Sequence, residues 1–516
     1  MEHTHSNKRN LSHAIGSTLK HLFYPEKDPV WAYLSLGGIT LIALVLRVIQ
    51  LNRSIFYDEA YTFIYYASRS FKYMLAAYSA PNNHIFHTIM VVIAYRLFGG
   101  GPWILRLPAF TAVILGIPAT YIAARRFFSH HQSLAASMLI AVMAGFINYS
   151  TNGRGYTMVT LFALLLANFA ALLVERQSKS ALIAYGLTGA LGFYTIPVFL
   201  YPMAGISLWV AVTYLADKEP WRDRLRRLGI FLAACAFSGL LTLLLYSPVI
   251  IFGTGIESII GNEIVEPLSW SNFVEGIGTR IAITWGNWMK GLDPVVENLF
   301  LGGFLLSLLF YRKASRQKLP LQVFLILAVV ILLLFQRVTP FGRVFLYLEA
   351  FYLMFAAAGL VWLADLIIRR VAGSPLTEVI LSVAILLIGI GVLTSTLRDT
   401  FQEAALSNRD LQAVEYVADY IREHITPEDT LVSTAPVDIQ TAYYLVIKGI
   451  PFERFYQRDH PVEIQNALVI LRDSAKYNTP EEVLDFYKLT PELDVKAAEL
   501  VFEYGHVKVY SIPAAK

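Results

Sequence analysis

Apolar stretches of about 20 residues recur along this chain, separated by short polar segments, and they limit its fold more than any other feature. Such a stretch matches the ~30 Å hydrocarbon core of a bilayer when helical. Lipid offers no hydrogen-bond partners, so each stretch must close its own backbone bonds as a helix. Eleven segments meet the description: 31–51, 103–124, 132–150, 155–174, 180–196, 198–215, 229–252, 295–311, 319–335, 344–364 and 376–396. Composition agrees. The chain is 56% hydrophobic and 16% charged, against about 25% charged in soluble domains. Mean hydropathy is +0.52. The net charge of +4 reads as loop bias in a membrane protein and not as a nucleic-acid footprint. Cys235 is the sole cysteine and lies in an apolar run, which excludes intrachain disulfides and Cys-based metal sites. The polar segment Met1–Pro29 has no apolar core before Trp31, so the first span is expected to act as an uncleaved insertion signal.

A further segment, 85–98, is short and contains His87 and Arg96. Charge bias decides its status. If it does not cross and the N-terminus is inside, the inner segments hold most of the basic residues. These include Lys8, Arg9, Lys20 and Lys27, then Arg125 and Arg126, the run Arg222, Arg224, Arg226 and Arg227, and Arg312, Lys313, Arg316 and Lys318. If it crosses, every later loop flips and the Arg-rich run lands outside. The segment is therefore read as an amphipathic helix on the outer surface. That choice puts Asp58, Glu59, His84, Arg154 and Arg343 on one side of the membrane.

From 397 onward the character changes. Helical periodicity runs through 409–424, TLVST reads as a strand, VDIQTAYYLV as a helix, ALVILR as a buried strand and LVFEYGHVKVYSI as a hairpin. The expected architecture is an all-α polytopic domain of about 11 transmembrane helices with outer juxtamembrane helices, followed by a small soluble α/β domain. The domain limits are 1–30 for the cytoplasmic N-terminal segment, 31–396 for the transmembrane domain and 397–516 for an extracytoplasmic domain.

Four short motifs could carry chemistry. Asp58-Glu59 just beyond the first span is costly at a bilayer boundary unless solvated, paired or used. Asn83-His84 heads the surface helix, and a lone His there is often only polar trim. Arg154-Gly155-Tyr156 opens another span; its Arg either snorkels or grips an anionic headgroup bidentately. Arg343 opens a late span, with Tyr347 and Glu349 deeper in it, and an intramembrane Glu marks a functional site by default. The outer loop 253–294 holds Glu257, Glu263, Glu266, Trp270, Trp285, Trp288 and Asp293, which suits either carbohydrate contact or interfacial anchoring.

Taken in order, these landmarks resemble the GT-C superfamily of lipid-sugar-dependent glycosyltransferases. The nearest branch is the bacterial family-39 type, with its protein O-mannosyltransferases and lipid A aminoarabinose transferases. The carried-over motifs are Asp58-Glu59, Asn83-His84 with Leu97-Phe98-Gly99 closing the surface helix, Arg106-Leu107-Pro108, Arg154-Gly155-Tyr156, Arg343, and the tail run YVADYIREHITPEDTLVST. The chain departs from the pattern in lacking Pro-Pro after His84 and in having Val344 where Tyr is usual.

The resemblance implies transfer of a sugar from a polyprenyl-phosphate donor to an acceptor hydroxyl at the outer face of a bacterial inner membrane, with inversion. Asp58 would be the general base, with Glu59 positioning base or acceptor. Arg154 and Arg343 would neutralise the leaving phosphate. Asn83, His84, Tyr156, Tyr347 and Glu349 would bind substrate. The acceptor stays open between lipid, polysaccharide and protein. A divalent metal ion also stays open, because superfamily members differ and no ligand spacing here demands one. Besides donor and acceptor, the expected partners are membrane lipids. A lipid flippase or a non-enzymatic assembly scaffold are the competing readings; the first calls for mid-membrane charges and paired broken helices, of which the sequence shows few.

Overall fold

The computed structural model describes residues 18, 22–23, 27–261, 266–371 and 373–515. Lys8, Arg9, Lys20 and Glu263 lie outside the described residues, as do the side chains of 374, 399–400 and 403–410.

Helices dominate up to residue 424. In chain order they are α1 (Val30–Val48), α2 (Tyr57–Thr62), α3 (Phe71–Ala76), α4 (Ile85–Phe98), α5 (Pro102–Arg125), α6 (His130–Val142), α7 (Ala144–Ser150), α8 (Tyr156–Glu175) and α9 (Lys179–Thr195). Then follow α10 (Leu200–Leu215), α11 (Trp221–Phe252), α12 (Glu257–Ile260), α13 (Trp270–Trp288), α14 (Pro294–Leu309), α15 (Tyr311–Ala314), α16 (Leu321–Gln336), α17 (Leu346–Ile368) and α18 (Ser374–His424). Each of the eleven apolar segments is helical. Among the described residues seven helices are long and apolar enough to span a membrane, and α6 with α7 forms an eighth, bent by 58°. The segments expected at 180–196, 295–311 and 319–335 are helices of 17, 16 and 16 residues, near the lower limit for a span. Helix α4 has 14 residues, about 21 Å of rise, which falls short of the hydrocarbon thickness.

Two local findings go beyond the sequence reading. The Arg-rich run 222–227 is the first turns of α11, not a loop, so the helix runs on past its apolar segment. The loop 253–294 contains the 19-residue helix α13, whose Trp285 and Trp288 rings lie 5.4 and 6.1 Å from Tyr352.

The described residues form two compact units. One takes those within Met1–Ile49, Tyr78–His87 and Pro108–Thr400; the other takes those within Gln50–Ala77, Thr88–Leu107 and Phe401–Lys516. In the first unit, α17 is pressed against α14 through small residues. A Cβ on Gly359 would lie 1.9 Å from the carbonyl oxygen of Gly303, so the two backbones touch. This is how helices associate where no hydrophobic drive separates lipid from protein. The break between α6 and α7 falls at Met143, which is extended. It frees carbonyls that α6 cannot satisfy. The buried Arg47 of α1 supplies donors to Ala141 O (2.8 Å) and Ile140 O (3.3 Å), and Thr396 Oγ1 donates to Val142 O (3.1 Å).

In the second unit, the tail builds a four-stranded sheet in the order β1-β2-β4-β3, from β1 (Asp429–Ser433), β2 (Asn466–Arg472), β3 (Glu499–Tyr504) and β4 (Val507–Pro513). β1 and β2 are parallel, and helix α19 (Asp438–Ile447) lies in the connection between them. β3 and β4 form the expected hairpin, turning at Gly505 with φ of 60°. The sequence reading missed α20 (Pro480–Tyr487), although Thr479 and Glu482 make a reciprocal capping box at its start. The composition change at 397 is not a break in the chain's path, because α18 runs through it without interruption.

Because Gly359 meets Gly303 backbone to backbone, Gly359→Leu is expected to push α17 from α14 and remove the monodisperse species on size exclusion. Leu305→Ala, at a position 46% exposed on the same helix pair, is expected to leave it unchanged.

Candidate active site

The acidic motif sits at the start of α2. Glu59 is fully buried and its carboxylate is committed. Arg106 donates from Nε to Glu59 Oε1 (2.8 Å) and from Nη2 to Oε2 (2.7 Å), the fork-on-carboxylate geometry that a guanidinium makes best. The other donors of Arg106 go to Leu51 O, Arg53 O and Ser54 O at 2.9, 2.7 and 2.9 Å. All five N–H groups are thereby used. Glu59 Oε2 also accepts from the Phe56 N–H at 2.9 Å, closing the first turn of α2. From the tail, Gln440 donates to Ile55 O (2.8 Å) and Tyr444 Oη accepts from Ile55 N–H (3.0 Å). The irregular segment 51–56 is thus held on one side by Arg106 and on the other by α19. Asp58, one residue earlier than Glu59, is only half-buried. Downstream, α2 passes into a π-helical turn, Phe63–Ala67, a distortion often found at functional sites. Tyr57, Tyr61 and Tyr65 stack along this stretch at 6.5 and 4.5 Å. In the same unit, burial pushes the carboxyl of Asp438, at the start of α19, up to about 6.

A second constellation lies in the other unit. His84 is buried, and its Nδ1 accepts from the Gly155 N–H at 2.9 Å. That bond places the imidazole proton on Nε2. Burial, then the neighbouring Arg154, His87 and Arg343, hold the His84 pKa well below the ordinary value, so the ring is neutral. A Cβ at Gly155 would lie 3.2 Å from His84 Nδ1 and 2.8 Å from Thr195 Cγ2, so only glycine lets the imidazole reach this N–H. Arg154 donates to Asn82 O and to Asn82 Oδ1, both at 3.2 Å, and its Nη2 lies 3.3 Å from His84 Nε2.

Tyr156 is the hub. The His84 ring packs against it at 5.1 Å, and the guanidiniums of Arg154 and Arg343 lie 5.9 and 5.8 Å from its centroid. Arg343 and Arg280 likewise both lie 4.9 Å from the Phe341 centroid. Three guanidiniums therefore alternate with two aromatic rings. The rings take up part of the charge by cation–π attraction. Arg280 falls within 253–294, which the sequence reads as an outer loop. Its place on α13 at a helical, half-buried position was hidden because that helix read as loop.

Of the other expected residues, Asn83 is buried beside His84. Tyr347 and Glu349 are each 1% exposed, one and two turns into α17 from the Arg343 turn. Tyr347 Oη and Glu349 Oε1 have no hydrogen-bond partner among the described residues. The Glu349 carboxylate lies against Gly145, where a Cβ would come within 3.0 Å of it. The structure therefore gathers His84, Arg154, Tyr156 and Arg343 in one unit, while Asp58 and Glu59 belong to the other.

Arg106→Leu would remove the guanidinium that pairs with the buried Glu59 carboxylate and donates to three carbonyls. A loss of ~3–5 kcal/mol is expected, read by denaturation of the purified protein. A change under about 1 kcal/mol would show that water replaces the guanidinium. For His84 the sign is also fixed. The unfolded chain takes up a proton near pH 6.5 and the folded protein does not, so stability is full above that pH and falls below it. The slope for this group is ~1.4 kcal/mol per pH unit, to be read as a melting-temperature profile that flattens in His84→Gln.

Residues 83–252 match the family model described as dolichyl-phosphate-mannose-protein mannosyltransferase. That stretch takes in Asn83, His84, Arg154 and Tyr156. The chain is similar in structure to ArnT from Cupriavidus metallidurans in the apo state, with a TM-score of 0.57 and 14% identity over 93% of this chain and 97% of that one. The undecaprenyl phosphate-bound structure of the same protein gives a TM-score of 0.59 and 15% identity over 92% and 97%. No curated protein matches the chain by sequence. At that identity the likeness is one of fold, and it extends over nearly the whole of both chains. On its architecture the chain has the GT-C fold of the ArnT structures, and its residues 83–252 match the dolichyl-phosphate-mannose-protein mannosyltransferase model.

Proposed function

We propose that this protein is a polyprenyl-phosphate-sugar-dependent glycosyltransferase that passes its sugar to an acceptor hydroxyl with inversion. The observation that carries the reading is the alternation of Arg154, Tyr156, Arg343, Phe341 and Arg280. Three guanidiniums gathered on two shared rings suit an anion with several oxygens, and a phosphate offers those for guanidinium forks. The ArnT structure of like fold is described as bound to undecaprenyl phosphate, which supports a lipid phosphate as that anion.

In this reading the acceptor hydroxyl attacks the anomeric carbon from the face opposite the phosphate. Asp58 takes the hydroxyl proton as the new C–O bond forms. The bond to the phosphate oxygen breaks, and the electron pair leaves with the phosphate. Arg154 and Arg343, with Arg280, stabilise the charge that grows there. Neutral His84 keeps an Nε2–H as a donor, and Asn83 adds another polar group. Tyr347 and Glu349 retain buried polar atoms suited to sugar hydroxyls. Glu59 acts as a positioning residue, since its pairing with Arg106 fixes the helix that presents Asp58. The acceptor class and the use of a divalent metal are left undefined by this scheme. The reading also places the reaction at the outer face of a bacterial inner membrane, with the N-terminus inside and residues 397–516 outside.

Asp58→Asn is expected to lower sugar transfer from a labelled polyprenyl-phosphate donor in proteoliposomes by ~100-fold or more, with expression and size-exclusion behaviour intact. Full activity in that variant would remove Asp58 as the base. Arg343→Gln is expected to lower transfer as well, with a smaller loss for Arg343→Lys.

A further inference from the structure

At the far end of α6 from the Met143 bend, two adjacent histidines converge on one carboxylate. His130 Nε2 lies 3.3 Å from Glu378 Oε2, and His131 Nε2 lies 3.6 Å from the same oxygen. One ligand atom from each of the three residues fits within a span of 4.8 Å. Consecutive residues on a helix point about 100° apart, so adjacent side chains ordinarily diverge. Here they are turned onto a common point, and the two imidazoles lie 4.4 Å apart. Trp31 of α1 packs against both rings, at 5.3 and 5.2 Å. The His131 side chain is 5% exposed, while His130 and Glu378 open partly to solvent.

We propose that His130, His131 and Glu378 form a binding site for a divalent transition metal of the zinc class. Two imidazole nitrogens and one carboxylate oxygen are the ligands such an ion takes, at about 2.0–2.2 Å each. In a tetrahedral shell of that radius neighbouring ligand atoms stand about 3.3–3.5 Å apart. The separations from Glu378 Oε2, 3.3 and 3.6 Å, match it with little movement. The partial exposure of His130 and Glu378 leaves an entry path and room for a water as fourth ligand. The Glu378 carbonyl oxygen, 3.3 Å from His131 Nε2, and Ser382 Oγ, 3.5 Å from it and one turn beyond Glu378, also lie beside the site.

The site draws on α6 and α18 directly and on α1 through Trp31. It lies ~20 Å along α6 from the bend at Met143, and the His84–Tyr156 cluster follows only beyond α7. Its role is therefore structural: one ion ties the start of α6 to the start of α18, with Trp31 of α1 packed against both imidazoles. The inference is independent of the glycosyltransferase reading, because none of its residues belongs to that machinery.

The test uses the full chain, without an affinity tag, in detergent. His3, His5, His13 and His21 are replaced by Gln so that the N-terminal histidines do not contribute. After chelator treatment the protein is titrated with Co2+, whose visible absorption reports tetrahedral nitrogen and oxygen ligation. The expected result is saturation at one Co2+ per chain, with loss of the band in His130→Gln/His131→Gln and retention in His424→Gln/His460→Gln. Zn2+ should displace the Co2+ and raise the melting temperature by several degrees in the parent protein only. Should the double variant fail to fold, Glu378→Gln serves in its place, and a shifted or weakened band is expected. No saturable band in the parent protein, or an undiminished band in the folded variants, would overturn the proposal and leave plain His–Glu hydrogen bonds.

Discussion

At several departures from regular helix in this protein, buried arginines donate to backbone carbonyls that lipid or a packed core would leave without donors. Arg47 donates to carbonyls on α1 and α6 beside the Met143 break. Arg106 gathers Leu51, Arg53 and Ser54. Arg125 reaches Phe128 O, Arg126 reaches Leu22 O, and Arg154 reaches Asn82 O. A guanidinium suits the task because it offers five fixed donors and stays charged. The constraint is the general one that backbone polar groups near hydrocarbon must be satisfied from within.

The adjacent acids Asp58 and Glu59 have been separated by this requirement. Glu59 balances Arg106 in a buried pair, and breaking such a pair costs far more than making it gains. It therefore fixes geometry. Asp58 is only half-buried, which suits the proposed role of base. The tail is part of the same device. Through Gln440 and Tyr444 it grips the Ile55 peptide, so the sheet domain serves to hold the acidic segment in place.

Much of this was legible in the sequence, and the exceptions have physical causes. Hydropathy located the helices because lipid imposes one length and one composition on a span. Charge asymmetry kept 85–98 out of the list of spans, in keeping with its 14-residue helix. The tail strands were readable from alternation and from the buried run ALVILR. The helix at Trp270–Trp288 was not, because its polar and aromatic residues are mixed and its length falls in a segment already read as loop. Arg280 was lost with it. Arg106 stood in view as a motif residue, but the sequence carries no sign that its partner is Glu59, 47 positions earlier. The His130–Glu378 cluster joins residues 248 positions apart and was equally out of reach.

The central claim is that the guanidinium cluster around Tyr156 and Phe341 holds a lipid phosphate while Asp58 acts on the acceptor. Phosphorus NMR of undecaprenyl phosphate bound to the purified protein separates these roles in one experiment. The account predicts a shifted, broadened phosphate signal that survives in Asp58→Asn and is lost in Arg154→Gln/Arg343→Gln. A signal that never departs from that of the free lipid, or one unchanged by removal of both arginines, would contradict it.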